Sequence, residues 1–258
     1  MIALVTGASS GIGEQYATEL AKRGHDLIIV SNQEKELCDV ARRLSAEYHV
    51  SVESVCMDLA RNKAADELFA KCQSEGRKVD ILVNDAGVFS FNPLTETNMK
   101  RIEVMLQLHV VTVTKMCRLF GEEMKRNGGG YILNMSSLSA WMMFPGITVY
   151  ESTKAYIRSL SVSLSYELKQ FNVGVTAVCP GAVDTGLYNL SMNLRKLAVR
   201  IGVSIPPEKL ARKAIAKMFK KKRQYIPGLI NYFFLPFCKH LPDFIISLIM
   251  KKIGCFQK

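Results

Sequence analysis

The first turn of this chain restricts its fold more than any other stretch. Residues 2–5 are apolar and rich in strand formers, and Thr6-Gly7-Ala8-Ser9-Ser10-Gly11-Ile12-Gly13 comes directly after them. A helical pattern then runs through Leu20 to about Arg23. A glycine-rich turn between a strand and a helix lets backbone approach a pyrophosphate, whose charge meets the helix N-terminus. The spacing is T-G-x-x-x-G-x-G and not the commoner G-x-G-x-x-G. A plain tight turn would use the same glycines, so the remainder of the chain has to decide.

Beyond Arg23 the chain alternates between strand and helix patterns. Strands are predicted over 26–30, 50–57, 80–83, 131–135 and 173–179, with a short edge strand over 224–226; helices are predicted over 37–48, 99–126, 149–171 and 206–222. At 258 residues the chain can be one α/β domain with a sizeable core. The expected fold is a single doubly wound Rossmann domain with seven mainly parallel strands. It should occupy residues 1–227, include a substrate loop at about 186–206, and be followed by an apolar and basic extension over 228–258.

The chemistry is concentrated between Gly130 and Lys154. A strand-like run ends in Ser136 and Ser137; Tyr150 comes thirteen residues after Ser137, and Lys154 four after that. Four residues apart on a helix, Tyr150 and Lys154 share one face. A phenol has a reference pKa of about 10, and a neighbouring ammonium favours its ionised form. A hydroxyl at the strand end, such as that of Ser137, could hold a carbonyl or alcohol oxygen against the phenol.

With the glycine turn, Ser137 and Tyr150-x-x-x-Lys154, the chain resembles the short-chain dehydrogenase/reductase family of the classical type. The motifs cover about 1–185 and the pattern extends to 227. The resemblance implies that Tyr150 is the acid/base, that Ser137 binds the carbonyl, and that Lys154 also holds the nicotinamide ribose. It implies a cofactor site formed by Gly7, Ser9, Ser10, Gly11, Ile12 and Gly13, with Ser31 and Asn32 at the ribose end. Asp58 and Leu59 would lie by the adenine, where Asp58 could equally cap the helix starting near Lys63. Asn84, Ala86 and Gly87 would line the cofactor, and Pro180, Gly181, Val183 and Thr185 would lie on its nicotinamide side. Two departures stand out. Asp85 replaces the second asparagine of the usual Asn-Asn-Ala-Gly, and His109 stands where relatives place an asparagine that supports a proton relay. Histidine could bridge a water in that relay, or be a packed helix residue; both readings stand.

The ribose end carries neither the acid that suits NAD nor the arginine that suits NADP. With no acid near Ser31 and Asn32 to repel a phosphate, NADP(H) is favoured over NAD(H). Trp141, Met142, Met143 and Phe144, with the Leu, Met, Tyr and Val content of 187–204, argue for a small hydrophobic substrate. A loose likeness to very-long-chain 3-oxoacyl reductases and hydroxysteroid dehydrogenases leaves two substrates open, a steroid- or lipid-like ketone and a 3-oxoacyl thioester. A cofactor-binding regulator or membrane-associated scaffold is the non-catalytic alternative.

Charge is uneven. Of 34 basic and 23 acidic residues, fifteen basic but only Glu208 and Asp243 lie from Arg195 onward. No nucleic-acid motif accompanies this excess, so an anionic membrane surface or substrate suits it better. Residues 229–250 are apolar but interrupted by Pro236, Lys239, Pro242 and Asp243, which excludes a spanning helix and suits peripheral membrane contact, a lid or a subunit interface. Seven scattered cysteines without C-x-x-C, and an opening directly on a strand, suggest a cytoplasmic protein with reduced thiols. Four distant histidines make a metal site unexpected. Met99, Met105, Leu106 and Met116 on one helix suit a buried or subunit-facing surface, and a homo-oligomer, dimer or tetramer, is expected.

Overall fold

The computed structural model describes residues 1–142, 144–183 and 204–228. Seven parallel strands form one sheet in the order β3-β2-β1-β4-β5-β6-β9. They are β1 (Ile2–Thr6), β2 (Asp26–Ser31), β3 (Val52–Cys56), β4 (Val79–Asn84), β5 (Gly130–Met135), β6 (Val173–Val178) and β9 (Gln224–Tyr225). A separate two-stranded ladder pairs β7 (Ala182–Val183) with β8 (Ser204–Ile205). The helices are α1 (Gly11–Ala21), α2 (Glu34–Tyr48), α3 (Ala64–Ser74), α4 (Met99–Leu106), α5 (Val113–Arg126), α6 (Thr148–Glu167) and, as α7, Pro207–Phe219.

Parallel strands covered on both faces read as unbroken apolar runs, because successive side chains enter opposite cores. On β1, Ala3 and Val5 enter one core with Tyr16, Leu20, Leu37, Leu44 and Ile215, contributed by α1, α2 and α7. Leu4 enters the other with Leu68, Met116 and Phe120, from α3 and α5. The chain therefore forms three layers, helices on either side of one sheet. After β3 it returns to the middle and pairs β4 with the other edge of β1. That reversal leaves a crevice beyond the carboxyl ends of β1 and β4, where ligands of such sheets bind.

Two expected helices differ in detail. The pattern over 99–126 is not one regular helix: a π-turn, Gln107–Thr112, joins α4 to α5. A π-turn accommodates an extra residue and changes the direction of the side chains within it, and His109 lies inside. The helix expected to reach 171 ends at Glu167, and Lys169–Phe171 forms a 3-10 turn closed by Asn172 in the left-handed region (φ 63°). The Met-rich surface also divides. Met105 and Met116 are core residues, whereas Met99 and Leu106 are exposed. Among the described residues no helix is long and apolar enough to cross a membrane.

Candidate active site

A cleft of about 800 Å³ lies at the predicted crevice. Its floor is built by the first turn. Gly7 (φ 70°) and Gly11 (φ 61°) adopt left-handed backbone that favours glycine. A Cβ on Gly7 would lie 2.9 Å from the Ala86 Cα, so the turn can sit against the end of β4 only without one. Gly7, Ser9, Ser10, Gly11 and Ile12 line the cleft. Gly13 does not: a Cβ there would lie 2.2 Å from the Gly7 carbonyl oxygen and 2.9 Å from Asp85 Oδ2, so it packs α1 against the turn instead. A cradle of backbone without side chains is what a pyrophosphate needs, and the residues present fit a dinucleotide.

At the far end of the cleft Ser31, Asn32, Asp58 and Leu59 line the wall. The Ser9 and Ser31 hydroxyls lie 2.8 Å apart, and Ser9 Oγ donates to Gln33 Oε1 at 2.9 Å. Asp58 does not cap α3, which starts at Ala64; its carboxylate accepts the Ala60 N–H at 2.9 Å in a local turn.

The strand-end motif after β4 splits in two. Asn84 is directed away from the cleft into the sheet, where its Nδ2 donates to Asn134 Oδ1 at 2.8 Å, and Asn134 Nδ2 donates to Ser161 Oγ at 2.9 Å. It joins β4 to β5. Asp85, Ala86 and Gly87 line the cleft. Thr6 Oγ1 accepts the N–H groups of Asp85 (3.0 Å) and Ala86 (3.1 Å), which fixes this strand end against β1.

Ser137, Tyr150 and Lys154 line the same cleft. Ser137 caps the 3-10 turn Leu138–Trp141, accepting the Ser139 N–H at 3.1 Å. Lys154 is only 6 % exposed. Its ammonium donates to the Met135 carbonyl at 2.9 Å and lies 5.5 Å from the centre of the Tyr150 ring. Burial lowers the Lys154 pKa to about 8, against the opposing pull of Asp85. Ser136 Oγ donates to the Lys154 carbonyl at 2.8 Å, tying α6 to the end of β5.

His109 is fully buried, and both ring nitrogens are engaged. Nε2 accepts the Val88 N–H at 3.1 Å, and Nδ1 lies 2.9 Å from Thr153 Oγ1, which itself donates to the Tyr150 carbonyl at 2.7 Å. These bonds require a neutral imidazole with its proton on Nδ1. Burial, with Lys154 and Arg101 adding to it, holds its pKa well below the ordinary histidine range. The imidazole is thus a strut between the end of β4 and α6. Its edge faces the Tyr150 ring (centres 6.0 Å apart), and Phe89 packs edge-on against the same ring at 4.9 Å.

Pro180, Gly181 and Val183 also line the cleft. Trp141 lies outside it, under the Arg158 guanidinium at 4.3 Å. Thr185, Met143, residues 186–203 of the expected substrate loop and 229–258 of the extension lie outside the described residues. Thr153, Ser136 and Asp85 as a cleft residue escaped sequence reasoning. The signal for Thr153 was its place immediately before Lys154, and for Asp85 its departure from the asparagine.

A family model described as short chain dehydrogenase matches residues 1–193. Very-long-chain 3-oxoacyl-CoA reductase-A of Danio rerio is 32 % identical over 194 residues, covering 73 % of this chain and 60 % of that protein, so the chain spans less than two thirds of that relative. A short-chain dehydrogenase from Sphingobium yanoikuyae, solved in complex with NADPH, superposes with TM-score 0.79 at 27 % identity, covering 100 % of this chain and 95 % of that one. The orthorhombic structure of the bulky-bulky ketone specific alcohol dehydrogenase from Comamonas testosteroni superposes with TM-score 0.78 at 26 % identity, covering 100 % and 94 %. A family match over more than half the sequence and the seven-stranded parallel sheet agree: this chain belongs to the short-chain dehydrogenase/reductase family.

Proposed function

We propose that the protein interconverts a ketone and a secondary alcohol on an apolar, lipid-like substrate, with NADP(H) preferred over NAD(H). One observation carries the reading: Ser137, Tyr150 and Lys154 line the same cleft as the glycine turn. When bound, the nicotinamide supplies a hydride to the carbonyl carbon, or takes one from the alcohol. The Ser137 hydroxyl holds the substrate oxygen, and the Tyr150 phenol gives its proton to that oxygen in reduction and recovers it in oxidation. Lys154, kept 5.5 Å from the phenol ring by its bond to the Met135 carbonyl, stabilises the charge left on the phenolate. His109, with both nitrogens engaged, acts as a positioning group rather than a proton carrier.

The apolar substrate is supported by Phe89 against Tyr150 and by Phe91 and Leu94, 40 % and 49 % exposed, on the segment between β4 and α4. The name of the Danio rerio relative supports a 3-oxoacyl thioester as the second substrate reading. Serine hydroxyls and the Asn32 and Gln33 amides at the ribose end, with the NADPH-bound relative, support NADP(H). Oxidation of NADPH and NADH by the purified protein, against bulky ketones and 3-oxoacyl thioesters, tests these points together. Tyr150→Phe should bind cofactor and lose turnover; an unchanged rate overturns the assignment.

Peripheral contact with an anionic membrane is supported by α7. Its solvent side carries Lys209, Arg212, Lys213 and Lys217, with Lys220 directly after its end, and no ion pair among the described residues uses them. Replacing three of them by glutamate should lower binding to phosphatidylserine vesicles; unchanged partitioning refutes the contact. Assembly with further copies is supported by Leu106, Val111, Tyr156 and Tyr166, exposed on the α4–α5 segment and α6. Sedimentation of the purified protein tests it.

A further inference from the structure

The Asp85 carboxyl is set against the glycine turn in the cleft. Four observations place it there. It lines the cleft with Gly7 and Gly11. Its main chain is fixed by the Thr6 hydroxyl at 3.0 Å. Its Oδ2 lies 2.9 Å from where a Gly13 Cβ would stand. Its carbonyl carbon lies 3.4 Å from where a Gly7 Cβ would stand. A carboxylate here lies beside the first turn of α1, whose positive end a pyrophosphate seeks, and adds its own negative charge there. An asparagine would keep the shape and carry no charge.

We propose that Asp85 is a proton-linked element of the dinucleotide site, so that the dinucleotide binds best to the chain in which the Asp85 carboxyl is protonated and its binding takes up a proton. The inference rests on the dinucleotide reading of the cleft. The groups around the carboxyl allow it. From β1 comes only the Thr6 hydroxyl. From α1 comes the Tyr16 phenol, which burial and Asp85 itself hold far above neutrality. From α6 comes the Lys154 ammonium, and Tyr150 and the neutral His109 line the same cleft. Lys154 is the one cation that acts on the carboxyl, and it does not cancel burial: the Asp85 pKa stands at about 7, raised by desolvation against Lys154 and the Gly13 N–H. An incoming pyrophosphate adds negative charge and raises it further.

Linkage sets the sign. Below the free-protein value the carboxyl is already protonated and affinity is highest; as pH rises through about 7 each binding event must take up a proton. Affinity then falls, by at most roughly tenfold per pH unit for one proton. Lys154, with its pKa near 8, is still mainly charged through the lower part of this range. NADH is the suitable probe, since it has no titrating 2′-phosphate.

The test is calorimetric titration of NADH into the wild-type protein and Asp85→Asn at pH 7, in two buffers of different ionisation enthalpy, with the dissociation constant measured from pH 6 to 7.5. The expected result is uptake of a fraction of a proton and a several-fold weakening over that range by the wild type, both absent in Asp85→Asn. Equal proton uptake by the two proteins, or none by the wild type, overturns the inference while leaving the dinucleotide site intact. No NADH or NADPH binding at any pH overturns the site itself and the inference with it. Should Asp85→Asn not fold, the wild-type proton uptake still decides.

Discussion

Replacing Thr153 by valine keeps the side-chain shape and removes one hydroxyl, at a point where two bonds meet. That hydroxyl accepts the His109 Nδ1–H at 2.9 Å and donates to the Tyr150 carbonyl at 2.7 Å, in a residue 2 % exposed. The carbonyl loses little, because it can keep an intrahelical partner. The imidazole loses its only acceptor at Nδ1. Moving the proton to Nε2 offers no escape, since it would then face the Val88 N–H. A buried donor left without a partner costs about 1–3 kcal/mol, and about 2 kcal/mol is expected here. For a chain of this size that corresponds to a fall in Tm of roughly 4–8 °C. Thr153→Ser keeps the hydroxyl and should lose about 1 kcal/mol at most, from one buried methyl group. Thermal unfolding measures the first effect and steady-state kinetics a second: kcat should fall in Thr153→Val while cofactor affinity stays the same, because only the support behind the Tyr150 ring has changed. Equal Tm and kcat for the valine and serine variants would show that the His109–Thr153 bond positions nothing.

The geometry leads to three further outcomes. Gly13→Ala places a methyl 2.2 Å from the Gly7 carbonyl oxygen, a backbone atom that cannot move aside, so about 3 kcal/mol of destabilisation is expected, with loss of saturable NADPH binding by fluorescence titration; full binding would refute the packing role. The lowered pKa of His109 means that the unfolded chain binds a proton that the folded chain refuses, so stability should decline as pH falls below about 6.5. In His109→Asn the pH dependence of Tm between 6.5 and 5 should be shallower, and an unaltered slope would sink that assignment. Asn134→Leu leaves the Asn84 amide with only the Cys117 sulfur inside the sheet, while the Ser161 hydroxyl keeps its bond to the Ile157 carbonyl, and roughly 2 kcal/mol should be lost in urea unfolding; a loss below about 0.5 kcal/mol would refute the network.

Much of the fold and of the site was legible in the sequence because it depends on local rules. Unbroken apolar strands, helical periodicity and a glycine turn between β1 and α1 specify an alternating parallel architecture. The i, i+4 spacing of Tyr150 and Lys154 specifies that they share a helix face. Those features need no knowledge of which strand lies beside which. Other assignments required the neighbours. Gly13 and Asn84 belong to motifs that read as cofactor contacts, yet Gly13 packs under Gly7 and Asn84 bonds to Asn134 on the adjacent strand. Whether a motif residue faces a ligand or the core depends on side-chain direction at the strand end, and the β4–β5 register sets that direction.

His109 shows the division most clearly. Its residue type and place in the helix were readable, but whether it carries a proton or braces a wall was not, because its partners lie 21 and 44 residues away at Val88 and Thr153. Asp85 is similar. The sequence marked it as a departure; only the fold set its carboxyl against Gly13 in the cleft, where desolvation outweighs the Lys154 charge and raises its pKa to about 7. The sequence by itself determined the alternating architecture and the shared helix face of Tyr150 and Lys154, because periodicity and spacing are local. The tertiary structure decided which groups are charged and which are held, because solvation and hydrogen-bond partners come from residues remote in the chain.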